Sequence, residues 1–220
     1  LEGFATPTAL PGGGRDVEAE GRRLTAERRL PAEAKAALEQ LAAAAGSSLN
    51  ATVQAAWGLV LARHAGEQDV VFGATRSGRS GTVADAEAVA GVFINTLPVR
   101  VRFDDATTVA ALLQSVRRQH VEVRPFEHTP LVDVQQASAV PGGTALFSSI
   151  VVFDRQTLND ELRAAGGAWL QRRFTLLERT SFPATLNVWA GPELAVRLSW
   201  DSDAIAPELG ARLLDQLLVV

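Results

Sequence analysis

The chain has 220 residues, 47% of them hydrophobic, and its 21 basic and 25 acidic residues give a formal charge of -4. That apolar content is enough to bury a core in one large domain or two small ones, and the interspersed charges leave no basic stripe to neutralise a nucleic-acid backbone. The lack of cysteine excludes disulfides, thiolate catalysis and Cys-ligated metal. With no apolar run of membrane-spanning length and no charged-then-apolar leader, a soluble cytoplasmic protein is expected.

In chain order, Thr6 to Gly21 carries Pro7, Pro11 and a Gly12-Gly13-Gly14 run and reads as a linker or surface arm, so residues 1–21 are set apart and order is expected from Arg22. Arg23 to Leu30 reads as a strand. A helix follows Pro31 to about Ala45, with Ala34, Leu38, Leu41 and Ala45 on its apolar face and Gly46 as its stop. Ser48 caps a second helix, striped by Leu49, Val53, Ala56, Trp57, Val60, Leu61 and His64 and ended by Gly66. Asp69 to Thr75 reads as a buried strand, followed by a loop rich in Gly, Ser and Arg.

Next comes Gly91-Val92-Phe93-Ile94-Asn95-Thr96-Leu97-Pro98-Val99-Arg100, in which Leu97, Val99, Val101 and Phe103 alternate with Pro98, Arg100 and Arg102. Counting back by twos puts Asn95 and Phe93 on the apolar face. A buried Asn without partners costs roughly 1 to 3 kcal/mol, so Asn95 requires either a hydrogen-bonding structural role or a solvated cavity beside it.

Thr107 or Thr108 caps a third helix with Val109, Leu112, Leu113 and Val116 on one face, ended by Pro125, and Pro130 opens a shorter helix to about Gln136. Strands are expected over Phe147–Phe153, Phe174–Glu178, Thr185–Ala190 and Leu194–Asp201, with a terminal helix from about Pro207 to Leu218. Helices interleaved with early strands and a late strand meander predict a mixed sheet with helices packed on it. The chain opens Leu1-Glu2-Gly3 and holds no methionine, which points to a piece of something longer, and its Ala- and Arg-rich usage to a high-GC bacterial source.

Little in the sequence signals catalysis. Gly73 to Ser80 has the spacing of a phosphate-cradling loop, but Arg79 stands where that loop needs Lys and no helical stripe follows. His64 and His120 continue the apolar stripes of helices. His128 lies in the turn Arg124-Pro125-Phe126-Glu127-His128-Thr129-Pro130, where adjacency to Glu127 does not establish a dyad. The three histidines are too scattered for a helical metal motif, no G-x-S-x-G elbow occurs, the Asn50-Ala51-Thr52 sequon lacks a secretory context, and Asp201 and Asp203 read as an exposed strand end.

Several stretches, in order, resemble the C-terminal half of a nonribosomal peptide synthetase condensation domain. Leu49 to Trp57 with Asp69 to Gly73 and Ser77-Gly78-Arg79 is similar to the family's central helix, strand and loop. Gly91 to Arg100 looks like its G-x-F-[IV]-N-T motif, Arg124 to Leu131 like its next, Leu146-Phe147 with Val151-Val152-Phe153 like the one after, and Glu178 to Pro183 like a later one. The F-I-N-T form matches the condensing type rather than the epimerising type.

The resemblance implies an α/β lobe of the chloramphenicol-acetyltransferase-like, CoA-dependent acyltransferase fold over residues 22–220. It further implies a tunnel between two lobes, reached from opposite ends by donor and acceptor peptidyl carrier proteins. Each carries its group on 4'-phosphopantetheine, and the domain itself binds no cofactor, metal, nucleic acid or membrane. The catalytic H-H-x-x-x-D-G motif belongs to the N-terminal lobe and has no counterpart here, so the piece alone is expected to be inactive. Gly91, Phe93, Asn95 and Ser181 are the tunnel candidates that the resemblance suggests. Asn95 and Ser181 would hydrogen-bond the pantetheine arm or the acyl amide, or else satisfy backbone groups in a packed sheet. The Ser77–Gly91 loop and the Ser181 segment would approach the other lobe. A non-catalytic carrier-docking module and a lobe of a coenzyme A-dependent acyltransferase are the rival readings.

Overall fold

The computed structural model describes residues 1–10, 22–79, 85–86, 88–155, 158–172 and 179–220. Its framework is a six-stranded mixed sheet in the order β1-β6-β5-β4-β2-β3, built from β1 (Arg23–Leu30), β2 (Asp69–Arg76), β3 (Asn95–Arg102), β4 (Ser149–Asp154), β5 (Ala184–Ala190) and β6 (Leu194–Asp201). The central β2, β4 and β5 are parallel; β3 pairs antiparallel with β2, and β1-β6-β5 form an antiparallel meander. The expected Phe174–Glu178 strand lies outside the described residues.

One face of the sheet is covered by α1 (Ala32–Ala44), α2 (Leu49–Ala65), α3 (Val109–Glu122) and α6 (Pro207–Leu217). Local chemistry sets their ends. Ser48 Oγ accepts from the Ala51 amide at 3.3 Å. Gly66 closes α2 at φ 70°, a left-handed turn that glycine adopts without Cβ strain. Thr108 caps α3 in the same way as Ser48, accepting from Ala111 at 3.2 Å. After α1, the Gly46 amide reaches the Ala43 carbonyl and the Ser47 amide the Ala42 carbonyl, a Schellman closure.

Packing departs from the expected stripes in three places. Leu41 is 46% exposed while Ala42 is buried, so the α1 face runs through Ala34, Leu38, Ala42 and Ala45. Val109, expected on the inner face of α3, is 61% exposed because it opens the first turn, beyond the reach of the core. Helix α2 is buried almost all round, including Ala51, Thr52, Gln54, Ala55, Gly58 and Ala62, because α1, α3 and α6 all pack on it above the sheet. Small side chains permit that crowding: a Cβ at Gly58 would collide with Val101.

The opposite face carries a smaller cluster of Phe4, Val71, Val140, Leu146, Phe147 and Ile150, with Leu131 and Val134 of α4 (Leu131–Gln136) packed on it. The start of the arm is therefore docked rather than loose. Phe4 is 4% exposed and Thr8 Oγ1 accepts from the Val71 amide at 2.7 Å, because apolar burial and an otherwise unmet strand amide favour the contact. A short α5 (Leu158–Ala164) was not anticipated from the pattern. At the β3 edge, the Gln119 side chain accepts from the Arg100 amide at 3.0 Å and donates to the Arg100 carbonyl at 2.7 Å.

Candidate functional site

Three of the four expected site residues meet where β2 ends and β3 begins. Arg76 and Asn95 are paired in the strand register there. Buried Gly78 then turns the chain at φ +66°, and a Cβ on it would collide with the Phe93 carbonyl, so both conformation and space demand glycine. Arg79 follows. Its Nη1 donates to the carbonyls of Ala86 and, at 2.9 Å, Val89, and its Nη2 donates to the Gly91 carbonyl at 2.7 Å. The same guanidinium lies 4.4 Å from the centre of the Phe93 ring, a cation–π distance. Phe93 in turn meets the His128 ring edge-on, with centroids 6.4 Å apart and planes at 71°.

The alternation read from Leu97 onward continues through this junction. Leu97, Val99 and Val101 are buried, whereas Ile94 is 67% and Val92 92% exposed, so Phe93 and Asn95 turn inward and their apolar neighbours outward. Asn95 resolves the burial problem through hydrogen bonds. Its Nδ2 donates to the carbonyls of Glu127 at 2.9 Å and Thr129 at 2.7 Å, and its Oδ1 accepts from the Thr96 amide at 2.9 Å. Both amide protons are spent on tying the start of β3 to the turn that carries His128.

Beneath this junction lies a buried polar group that joins α2 to α3. Gln54 Nε2 donates to Asn50 Oδ1 at 2.7 Å, which leaves Gln54 Oε1 as the acceptor for His120 Nε2, also at 2.7 Å, and so fixes the imidazole proton on Nε2. Burial, with the nearby charges of Arg76 and Arg117, pushes the His120 pKa down to about 3, so the ring is neutral at neutral pH. Arg76 is itself held below the ordinary arginine value, chiefly by desolvation, against which the negative charge of buried Glu127 acts. Its Nε is enclosed with no hydrogen-bond partner among the described residues.

Ser181 sits apart from that cluster. It precedes β5, whose Ala184 pairs with Ser149 at the start of β4, and it is exposed between two anchored neighbours. Thr180 Oγ1 is 2.7 Å from Thr185 Oγ1, and Phe182 stacks on Phe147 with ring centres 5.5 Å apart. Phe147 fills the space over Gly73 that Thr96 also borders, so an aromatic bridge links the Ser181 segment to the residue after Asn95. Gly73 thus serves strand packing inside β2, not a phosphate cradle. His64 bonds Gln216 across to α6 at 2.6 Å, and Asp201 is ion-paired with Arg23 at 3.1 Å rather than simply exposed.

Sequence reasoning passed over Arg79, Arg76 and Glu127 as site residues. The available signal was an arginine directly after an obligatory glycine in a loop, where backbone carbonyls lack strand or helix partners. A surface cleft of about 720 Å³ lies elsewhere, between the amino terminus, the β3 edge and α3 at Gln119, and includes none of Gly91, Phe93, Asn95 or Ser181. Among the described residues no cluster could hold a metal ion, and no helix is long and apolar enough to cross a membrane. At this junction the polar atoms of Arg79 and Asn95 are committed largely to backbone carbonyls.

The family model of the condensation domain matches residues 1–218. One of the proteins that make up the linear gramicidin synthase of Brevibacillus parabrevis is 41% identical over 219 residues, covering 99% of this chain and 4% of its own length. Among solved structures, the condensation domain of the monacolin K polyketide synthase MokA superposes with a TM-score of 0.73 at 17% identity, over 100% of this chain and 52% of that one. A four-domain nonribosomal peptide synthetase bound to AMP and glycine superposes with a TM-score of 0.77 at 16% identity, over 97% of this chain and 17% of that one. The chain therefore spans a small fraction of the synthetases and about half of the separate condensation domain.

Proposed function

Since the chain belongs to the condensation-domain family, we propose that residues 22–220 are the C-terminal lobe of a nonribosomal peptide synthetase condensation domain, preceded by residues 1–21 as an N-terminal arm whose start, at Phe4 and Thr8, docks on the sheet. In the intact cytoplasmic enzyme an acceptor amine attacks the donor thioester: the C–N bond forms as the C–S bond breaks, and the amine proton ends on the departing thiol. Both groups arrive on the phosphopantetheine arms of carrier proteins. The observation that carries this reading is the superposition of essentially the whole chain on 52% of a condensation domain, combined with a sequence that holds no His-His pair.

The contribution of this lobe is then geometric. Gly91, Phe93 and Asn95 supply a stretch of tunnel wall, with Asn95 setting the position of β3 against the 127–129 turn and having no amide proton left to offer a substrate. Ser181, exposed, is the better-fitting hydrogen-bonding contact for the pantetheine arm. Donor and acceptor carrier proteins loaded with distinguishable groups, incubated with the intact protein, should yield the amide by intact-protein mass spectrometry. The 220-residue piece alone should yield none, and turnover by that piece at the rate of the intact protein would refute the lobe assignment.

A further inference from the structure

We propose that Arg79 is a positioning residue for the condensation reaction, the side chain that sets the course of residues 88–93 and so fixes the Phe93 stretch of the wall. This rests on the function proposed above. A single guanidinium gathers the carbonyls of Ala86, Val89 and Gly91, which lie 7, 10 and 12 residues further along the chain. A planar fork with five donors in fixed directions can hold three carbonyls at once while its face lies over an aromatic ring, and an ammonium, with three donors around one point, cannot.

The base of the fork is itself fixed. Gly78 is buried at φ +66° against the Phe93 carbonyl, so Arg79 leaves the end of β2 in one direction. From there its ring contact determines which way Phe93 faces, and the alternation then turns Val92 and Ile94 to solvent. None of these contacts involves the main core of the sheet's helix-covered face, so the clasp orders the wall without being required for the lobe to fold. The spacing that imitates a phosphate loop is explained as well: the cation spends its donors on its own chain.

The test compares Arg79→Met and Arg79→Lys with the unaltered intact protein. In Arg79→Met, backbone hydrogen exchange over residues 88–94 should accelerate by about tenfold or more, with the thermal midpoint nearly unchanged. Amide formation at saturating carrier-bound substrates should fall about tenfold with KM within about twofold, and Arg79→Lys should recover only part of that loss. Unchanged exchange in Arg79→Met overturns the clasp, and faster exchange with an unchanged rate overturns its role in the reaction. If the unaltered protein joins no carrier-bound pair, the lobe's proposed function and the reaction part of this proposal both fall, while the exchange measurement still decides the clasp.

Discussion

Trp57, at the middle of α2, is fully enclosed and spends its one polar atom on Ser149 at 3.3 Å, whereas Phe93 is half-buried between a guanidinium and an imidazole. Trp57 belongs to a large apolar cluster contributed by helices and strands distant in sequence. Around Phe93 the contacts are hydrogen bonds from long side chains to backbone carbonyls of loops and turns. The first region draws its stability from apolar area removed from water and is insensitive to small shifts of a polar atom. The second derives shape from a few directional bonds, each of which can be lost without unfolding the rest.

Replacing Trp57 with Ala should test the first region most severely. Its truncation opens a large cavity and is expected to cost about 4 kcal/mol, read as a fall in the denaturation midpoint; a loss below about 1 kcal/mol would mean the helix layer is not what stabilises the sheet.

His120 sits on the boundary between the two regions and gives the next largest effect. The unfolded chain takes up a proton at the ordinary histidine value of 6.5, but the folded ring resists until about 3, so acid favours unfolding throughout that window. Between pH 6.5 and 4.5 the unfolding free energy should drop by about 2 to 3 kcal/mol on this account, and His120→Gln should flatten that slope. An identical slope in the variant would assign the acid sensitivity to other groups.

Asn95→Ala is expected to cost about 1 to 2 kcal/mol and to raise hydrogen exchange at residues 127–130, since two carbonyls lose their donor. If the stability loss came without any change at that turn, the bonds from Asn95 would not be what ties β3 to it.

The legibility of the two regions in the sequence follows the same division. Local rules placed Ser48, Gly66 and Thr108 correctly because each cap acts within a few residues. Period-two alternation identified Asn95 as a polar residue on an apolar face, yet its acceptors lie 32 and 34 residues away and are backbone atoms without side-chain identity. Arg79 was visible as a misfit in a phosphate-loop pattern and as part of a family-like loop, but its three carbonyl partners were not, for the same reason. Leu41 misled because hydrophobicity ranks it above Ala42, whereas the helix turns the smaller side chain inward and leaves Leu41 46% exposed. Phe4 was hidden by the Gly- and Pro-rich stretch that follows it, and the mutual placement of Phe147, Phe182 and Thr96 depends on a strand order that no single segment encodes.

The paired hydrogen bonds from Gln119 to Arg100 have a consequence for association. An outermost strand ordinarily offers its free amides and carbonyls as a template on which another chain can add a strand. On β3 the outward-facing positions are those in phase with Arg100, and there one amide side chain imitates a neighbouring strand while Pro98, two residues earlier, has no N–H to give. That part of the border is blocked against strand addition at Pro98 and Arg100, so a protein docking there has to recognise side chains such as the exposed Arg102 instead of bare backbone.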